Sequence, residues 1–105
     1  MAETSRFTVH AVIVEEELHF TLDELCHACR ADHAQLIALV EEGVLEASGR
    51  GPEDWQFTGP SLARARVALR LSRDLELGVA GTALVMDLLD EIESLRTRLR
   101  RYSRM

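Results

Sequence analysis

The segment DELCHACRADH brings together the residues of this chain that are best suited to hold a metal ion. Cys26 and Cys29 are three residues apart, which on a helix places both thiols on one face, and His33 follows four residues later. A zinc site, however, usually takes four ligands from more than one structural element. The alternative is that both cysteines belong to the apolar stripe of a helix, where small buried cysteines are common. We favour the buried stripe, and expect neither a metal ion nor any other cofactor.

The sequence contains no other arrangement typical of an enzyme. It has no glycine-rich phosphate loop, no nucleophile elbow and no complete set of metal ligands. The two cysteines also lack the βαβ context of a redox motif. The four histidines are scattered along the first third of the chain: His10, His19, His27 and His33. We therefore expect a protein without catalytic activity.

Charge is distributed unevenly along the 105 residues, whose formal net charge is −6. Residues 1–60 hold three arginines and twelve acidic residues, whereas residues 61–105 hold nine arginines and six acidic residues. The two parts therefore carry −9 and +3, which sum to −6, and the chain has no lysine. A nucleic-acid-binding domain usually shows the opposite sign on its reading surface, so the front half is poorly suited to bind DNA.

Two short helices are predicted over about residues 22–30 and 33–42. Thr21 with Glu24, and Asp32 with Gln35, have the spacing of capping boxes at the two helix starts. A tight turn near residues 30–31 would join them into a helix-turn-helix. Gly43 is placed to end the second helix in a left-handed conformation.

A β wing is predicted after the second helix. Residues 44–45 and 55–57 are strand-like, and the intervening EASGRGPED holds two glycines and a proline, as in a turn-rich loop. A third strand is predicted over residues 7–14. Trp55 could anchor a partner interface, but we favour packing of its ring between wing and core.

A third helix is predicted from Pro60, ending at Gly78. Its inward stripe would be formed by Leu62, Ala65, Leu69 and Leu75. Four arginines occupy its other faces and are interpreted as solvated side chains: Arg64, Arg66, Arg70 and Arg73.

The longest helix is predicted from residue 81 to about residue 103. Six apolar residues spaced alternately three and four apart form a coiled-coil-like seam, called the apolar seam below: Val85, Leu88, Ile92, Leu95, Leu99 and Tyr102. Acidic residues precede arginines along this helix, so its charges would complement those of a second copy. Both an antiparallel and a parallel pairing of two such helices would place acidic residues opposite arginines. The seam predicts a homodimer and leaves the direction of pairing open.

The order of these elements resembles the MerR family of winged-helix regulators. The matching features are TLDEL, LIALVEEGVL, WQF after the wing, LARARVALRLSRDLELGVAG and the terminal helix, which together span residues 21–102. The resemblance implies a mainly α fold with a small β wing: a winged helix-turn-helix over residues 1–78 and a dimerisation helix over residues 79–105 of the same domain. The chain departs from this family at its DNA-reading positions, where Ile37 and Ala38 replace an Arg-Tyr pair and Gln56 replaces a wing arginine.

A narrower resemblance fits those departures. The motifs FTLDELC, EEGVLEA, WQF, RARVALRL, DLEL and GTALVMDLLDEIESL, with the arginine-rich end, are similar to the chaperone-modulator family CbpM. That resemblance implies binding to the J-domain of a DnaJ-like co-chaperone of the CbpA type, and its inhibition by blocking access of the Hsp70 chaperone DnaK. It also implies a basic J-domain helix as the target, which acidic side chains would complement. The candidate contact residues are Glu41, Glu42, Glu46, Asp74, Asp87 and Asp90.

The alternative function is that of a MerR-like DNA-binding transcriptional regulator, which would need phosphate contacts from the winged helix. The second helix and the wing offer only Arg50 for such contacts, so a nucleic-acid partner is disfavoured. No run of about 18 apolar residues predicts a membrane span, and no cleavage site follows the short apolar run near the start. We therefore expect a cytoplasmic protein.

Overall fold

The computed structural model of the chain describes residues 18–103 and is mainly helical. Helix α1 covers Leu22–Cys29, α2 covers His33–Glu41, α3 covers Gly59–Asp74 and α4 covers Val79–Ser103. A short 3-10 helix, Pro52–Asp54, lies in the wing loop. The predicted fold class, a MerR-like helix-turn-helix with a small wing and a long last helix, is confirmed. The strand predicted over residues 7–14 lies outside the described residues.

The helix-turn-helix forms where the capping residues place it. Both predicted capping boxes are present, with Thr21 and Glu24 at the start of α1 and Asp32 and Gln35 at the start of α2. Each box satisfies two backbone N–H groups that a helix start leaves without a partner inside the helix. Between the helices, Arg30 adopts a left-handed conformation with φ of 56° and turns the chain.

Gly43 ends α2 as predicted, with φ of 82°. The next amide, that of Val44, donates to the carbonyl of Leu39 at 2.9 Å, which is the hydrogen bond of a Schellman motif. This turn points the chain into the core, where Val44 and Leu45 are buried. The prediction that these two residues form a wing strand is wrong, because both of their amides donate back to the carbonyl of Leu39 instead of pairing with another strand.

The wing is smaller than predicted and is made of two antiparallel bridges, Ser48 with Gln56 and Phe20 with Phe57. Residues 56 and 57 therefore pair on opposite sides, as consecutive residues of a strand do. Gly49 closes the turn with φ of 125°, and a Cβ there would lie 2.5 Å from the carbonyl oxygen of Asp54. The segment that contains Phe20 thus supplies one edge of the wing.

The core lies between the wing and the four helices. Phe57, Leu25 and Leu36 are its largest fully buried side chains, and Trp55 packs edge-on against Phe57 with ring centroids 6.0 Å apart. Trp55 is half-buried and packs against the core, as expected for a wing aromatic that holds the wing in place. The wing and the helices thus share a single apolar cluster.

Helix α3 differs from its predicted inward stripe and from its predicted end. Leu62 and Ala65 are buried and Leu69 is half-buried, but Leu75 is exposed and Ala68 takes the core position instead. The helix ends at Asp74, and the left-handed residue is Glu76, with φ of 54°, rather than Gly78. The amide of Leu77 donates to the carbonyl of Ser72 at 2.9 Å, again as in a Schellman motif. Leu75 lies in the turn, where its side chain points to solvent.

Candidate functional site

A groove of about 400 Å³ lies between the turn after α2, the start of α3 and the third and fourth turns of α4. We call it the acidic groove. Three of the six predicted contact residues line it: Glu46, Asp87 and Asp90. Its remaining lining residues are Gly43, Val44, Thr58, Pro60, Ser61 and Arg64. Carboxylates that are 41 and 44 residues apart in the sequence, those of Asp87 and Asp90 from that of Glu46, are thus brought to one surface.

Arg64 forms one wall of the acidic groove and links three parts of the chain. Its two terminal nitrogens donate to the two carboxylate oxygens of Asp90, at 3.0 and 2.9 Å. Its Nε donates to the carbonyl of Val44 at 2.6 Å. The prediction that this side chain is solvated is wrong, because these partners hold it half-buried. Arg66, Arg70 and Arg73 on the same helix are exposed, as predicted.

The other three predicted contact residues lie outside the groove lining. Glu41 and Glu42 are exposed at the end of α2, immediately before Gly43 at the groove edge. Asp74 is exposed at the end of α3, where its carboxylate lies 3.8 Å from Arg73. The structure therefore gathers three candidates, places two beside them, and leaves one at the end of a helix.

The apolar seam of α4 is open to solvent. Leu88, Ile92 and Leu95 are each about half exposed, Leu99 is 64% exposed and Tyr102 is 71% exposed. Val85 is half-buried. At about 3.6 residues per turn, the seam lies on a different side of α4 from Thr82 and Met86, which pack into the core.

Two further leucines, Leu84 and Leu89, flank the seam and are 59% and 42% exposed. Heptad spacing alone did not include them, although both could be read from a helical wheel. Together with the seam they make a contiguous apolar surface, a feature that in soluble proteins usually marks an interaction site.

The MerR HTH family model, described as a regulatory protein family, matches residues 20–104 of the chain. The chain is also 36% identical over 96 residues to the chaperone modulatory protein CbpM of Coxiella burnetii (strain Dugway 5J108-111), covering 91% of both chains. It is 38% identical over 88 residues to that of Pseudomonas putida (strain GB-1), covering 77% of this chain and 87% of the relative. The chain belongs to the CbpM family. These relatives are named as chaperone modulators rather than as enzymes.

Ile37, which stands where the resembled MerR regulators carry a DNA-reading residue, lies in a groove with negative charge. A second groove of about 340 Å³ lies between α1, α2 and the wing, lined by Thr21, Leu22, Asp23, His33, Ile37, Pro52 and Glu53. It contains two carboxylates and no arginine. His33 is hydrogen-bonded through Nε2 to the carboxylate of Asp23.

Both cysteine thiols lie in surroundings that favour the neutral form. Cys26 is buried, and burial raises the pKa of its thiol, with Asp23 and Asp32 raising it further. Cys29 is half-buried, and burial also raises the pKa of its thiol, although Arg66 partly opposes this. A raised pKa disfavours the thiolate that metal binding requires. Residues 18–103 contain no group of three or more side chains placed to hold a metal ion.

None of the helices that the structure describes combines the length and the apolar character required to cross a bilayer.

Proposed function

We propose that this protein inhibits a J-domain co-chaperone of the CbpA/DnaJ type by binding its J-domain in the acidic groove. The bound J-domain could then no longer present its basic helix to the Hsp70 chaperone DnaK. Support comes from the chaperone modulators to which the chain is related, and from the sign of the charge in the groove.

The three groove carboxylates differ in whether they have an ion-pair partner, and this difference is the main support for the proposal. Asp90 is neutralised by Arg64, whereas Glu46 and Asp87 form no ion pair with any residue of the described chain. Two uncompensated carboxylates beside a concave surface attract a cationic side chain and repel an anionic one. Complementarity of this kind raises the association rate and selects partners by charge.

Glu41 and Glu42 extend the negative surface past the groove edge, at the C-terminal end of α2. The partial negative charge of the helix terminus adds to theirs. Glu41 and Glu42 are therefore proposed to contact the partner at the edge of the acidic groove. Asp74 has no such neighbours in the groove and is the weakest of the six candidates.

The test is a titration of isolated J-domain with the whole protein at low and high salt. Binding should weaken as salt rises, because exposed charges are screened over about 8 Å at physiological ionic strength. The double variant Glu46→Gln/Asp87→Asn should bind roughly tenfold more weakly, as expected for loss of two exposed charge pairs of about 0.7 kcal/mol each. Absence of binding at micromolar concentration would rule out the function.

The matched control is Glu53→Gln/Asp54→Asn, which removes the same charge from the wing loop, where both side chains are exposed. If both double variants weakened J-domain binding equally, the cause would be net charge in general, and docking in the acidic groove would be contradicted. A parallel assay follows J-domain stimulation of Hsp70 ATPase activity. The unmodified protein should suppress the stimulation, and the groove variant should suppress it less.

We also propose that the protein is a homodimer through the apolar seam of α4. The seam is a contiguous stripe of large exposed side chains on a helix whose first turns are already anchored in the core. Its acidic residues come before its arginines, so a second copy is complementary in charge as well as in apolar surface. The charges still allow either direction of pairing.

A further inference from the structure

Within residues 18–103, helix α4 packs against the rest of the molecule only over its first part. Thr82 and Met86 are buried in the core, and Asp90 is held by Arg64. From residue 91 to residue 103 every side chain is exposed except that of Thr97, which is half-buried. Asp90 is thus the last residue of α4 with a partner on another element in the part of the chain that the structure describes.

The contact at this position has a geometry that few side chains could reproduce. The guanidinium of Arg64 donates in parallel to both oxygens of Asp90, and its Nε donates to the carbonyl of Val44. A planar fork of this kind restricts orientation as well as distance. One side chain on α3 therefore holds α4 and the turn after α2 in register with each other.

We propose that the Arg64–Asp90 pair is a latch that sets the direction in which the exposed part of α4 leaves the winged helix. Arg64 acts as a positioning residue: it lines the acidic groove and lies outside the apolar seam, but its three guanidinium nitrogens already donate to Asp90 and the carbonyl of Val44. The proposal goes beyond the function proposed above and does not depend on it.

The exposed part of α4 amplifies any movement at the latch. Residues 91–103 extend about 20 Å at 1.5 Å per residue. A rotation of about 15° at Asp90 would therefore displace the far end by about 5 Å. Among the contacts that the described residues make, those left to hold α4 without the latch would be Thr82, Met86 and their half-buried neighbours, all of which lie on the near side of Asp90.

The latch can be tested by measuring the distance between two spin labels by pulsed electron resonance. One label replaces Ala34 on α2 and the other replaces Arg98 on α4, both exposed positions, in a background with Cys26→Ala and Cys29→Ala. Dilution with excess unlabelled protein ensures that any dimer carries one labelled chain. Circular dichroism and thermal unfolding then establish that each variant is folded.

Arg64→Met and Asp90→Asn should each shift the mean distance and broaden the distribution. Arg64→Lys should do so as well, because one ammonium cannot hold both Asp90 oxygens and the Val44 carbonyl. The controls are Arg70→Met, an exposed arginine of the same helix, and Asp87→Asn, a groove carboxylate outside the pair; both should leave the distribution unchanged.

The proposal is overturned if Asp90→Asn, the nearly isosteric change, leaves the distance distribution as it is in the parent protein. It is also overturned if Arg70→Met broadens the distribution as much as Arg64→Met does. Neither result depends on a J-domain, so failure of the latch and failure of the proposed function remain distinguishable.

Discussion

Glu76 is held in a left-handed conformation that costs an L-amino acid free energy. Its φ of 54° is set by the turn between α3 and α4, where Leu77 bonds back to Ser72 and its carbonyl accepts from the Ser72 hydroxyl at 2.9 Å. Most helices that end in this way place glycine at the left-handed position. Here the glycine is two residues later, at Gly78, so the strain is not relieved.

Replacing Glu76 with glycine should stabilise the protein. The left-handed conformation costs roughly 1–2 kcal/mol for an L-residue, of which glycine's greater unfolded-state entropy cancels part. We expect a net gain of about 0.5–1 kcal/mol and a rise of a few degrees in Tm. Glu76→Ala is the control, since it removes the charge but keeps the Cβ. A glycine variant no more stable than the alanine variant would contradict the strain.

The two thiols should react slowly with an alkylating reagent. Burial raises the pKa of both, so at about pH 8 the thiolate fraction of each is smaller than that of free cysteine. Their rates should still be rising with pH where the rate of free cysteine has levelled off. Cys29 should react faster than Cys26, because it is only half-buried and Arg66 lowers its pKa in part. Mass spectrometry of the labelled peptides measures both rates, and denatured protein supplies the unperturbed reference.

If either thiol reacted as fast in the folded protein as in the denatured protein, it would be exposed, and the shielded surroundings described for it would be wrong. The raised pKa values also make the free energy of unfolding depend on pH, because folding favours the neutral form of each thiol. The stabilisation it gives is complete below the ordinary thiol pKa and is lost as the pH rises through the raised one.

At the scale of elements, local signals in the sequence predicted the helices but not how they meet. Capping boxes and Gly43 fixed the bounds of α1 and α2 to within a residue, because such caps act over three or four positions. The partner of Arg64 is 26 residues away, and no local pattern connects Arg64 with Asp90. The burial of Ala68 could not be predicted for the same reason, since it is decided by the elements packed against α3 and not by the hydrophobicity of Ala68 itself.

A charge placed in the apolar seam should weaken the proposed dimer. Leu95→Glu removes one leucine from each of the two chains, and full burial of one such side chain is worth about 1.5–3 kcal/mol, so the dimer should be weaker by roughly 100-fold or more. Analytical ultracentrifugation over a concentration series measures the change. Ser94→Glu introduces the same charge on another side of α4 and should have little effect. A parent protein that stays monomeric at high concentration would refute the dimer.

For the whole molecule, the separation of charge decides which partners can approach. The grooves on both sides of the helix-turn-helix present carboxylates, whereas all four arginines of α4 come after Asp90. The sequence predicted this uneven distribution, because net charge over a segment needs no knowledge of the fold. It could not predict that Glu46 and Asp87 share one groove, since a folded backbone is needed to bring them together.

Duplex DNA should not bind to this protein. At about 50 mM salt, where non-specific binding is strongest, a gel shift with any duplex should show no complex at micromolar protein. The physical reason is repulsion between phosphates and the carboxylates of the surface between α2 and the wing. A salt-sensitive shift would mean that the arginines of α3 and α4 outweigh those carboxylates, and would restore the role of a DNA-binding regulator.

The seam and the acidic groove lie on different sides of α4, and this has a consequence for valency. A dimer joined through the seam leaves both grooves open, so it offers two equivalent docking positions. A target that presents two J-domains on one tethered molecule could fill both, the second at an effective concentration set by the tether. Apparent affinity would then depend on the spacing of the two grooves, and a single isolated J-domain would bind more weakly than the intact target.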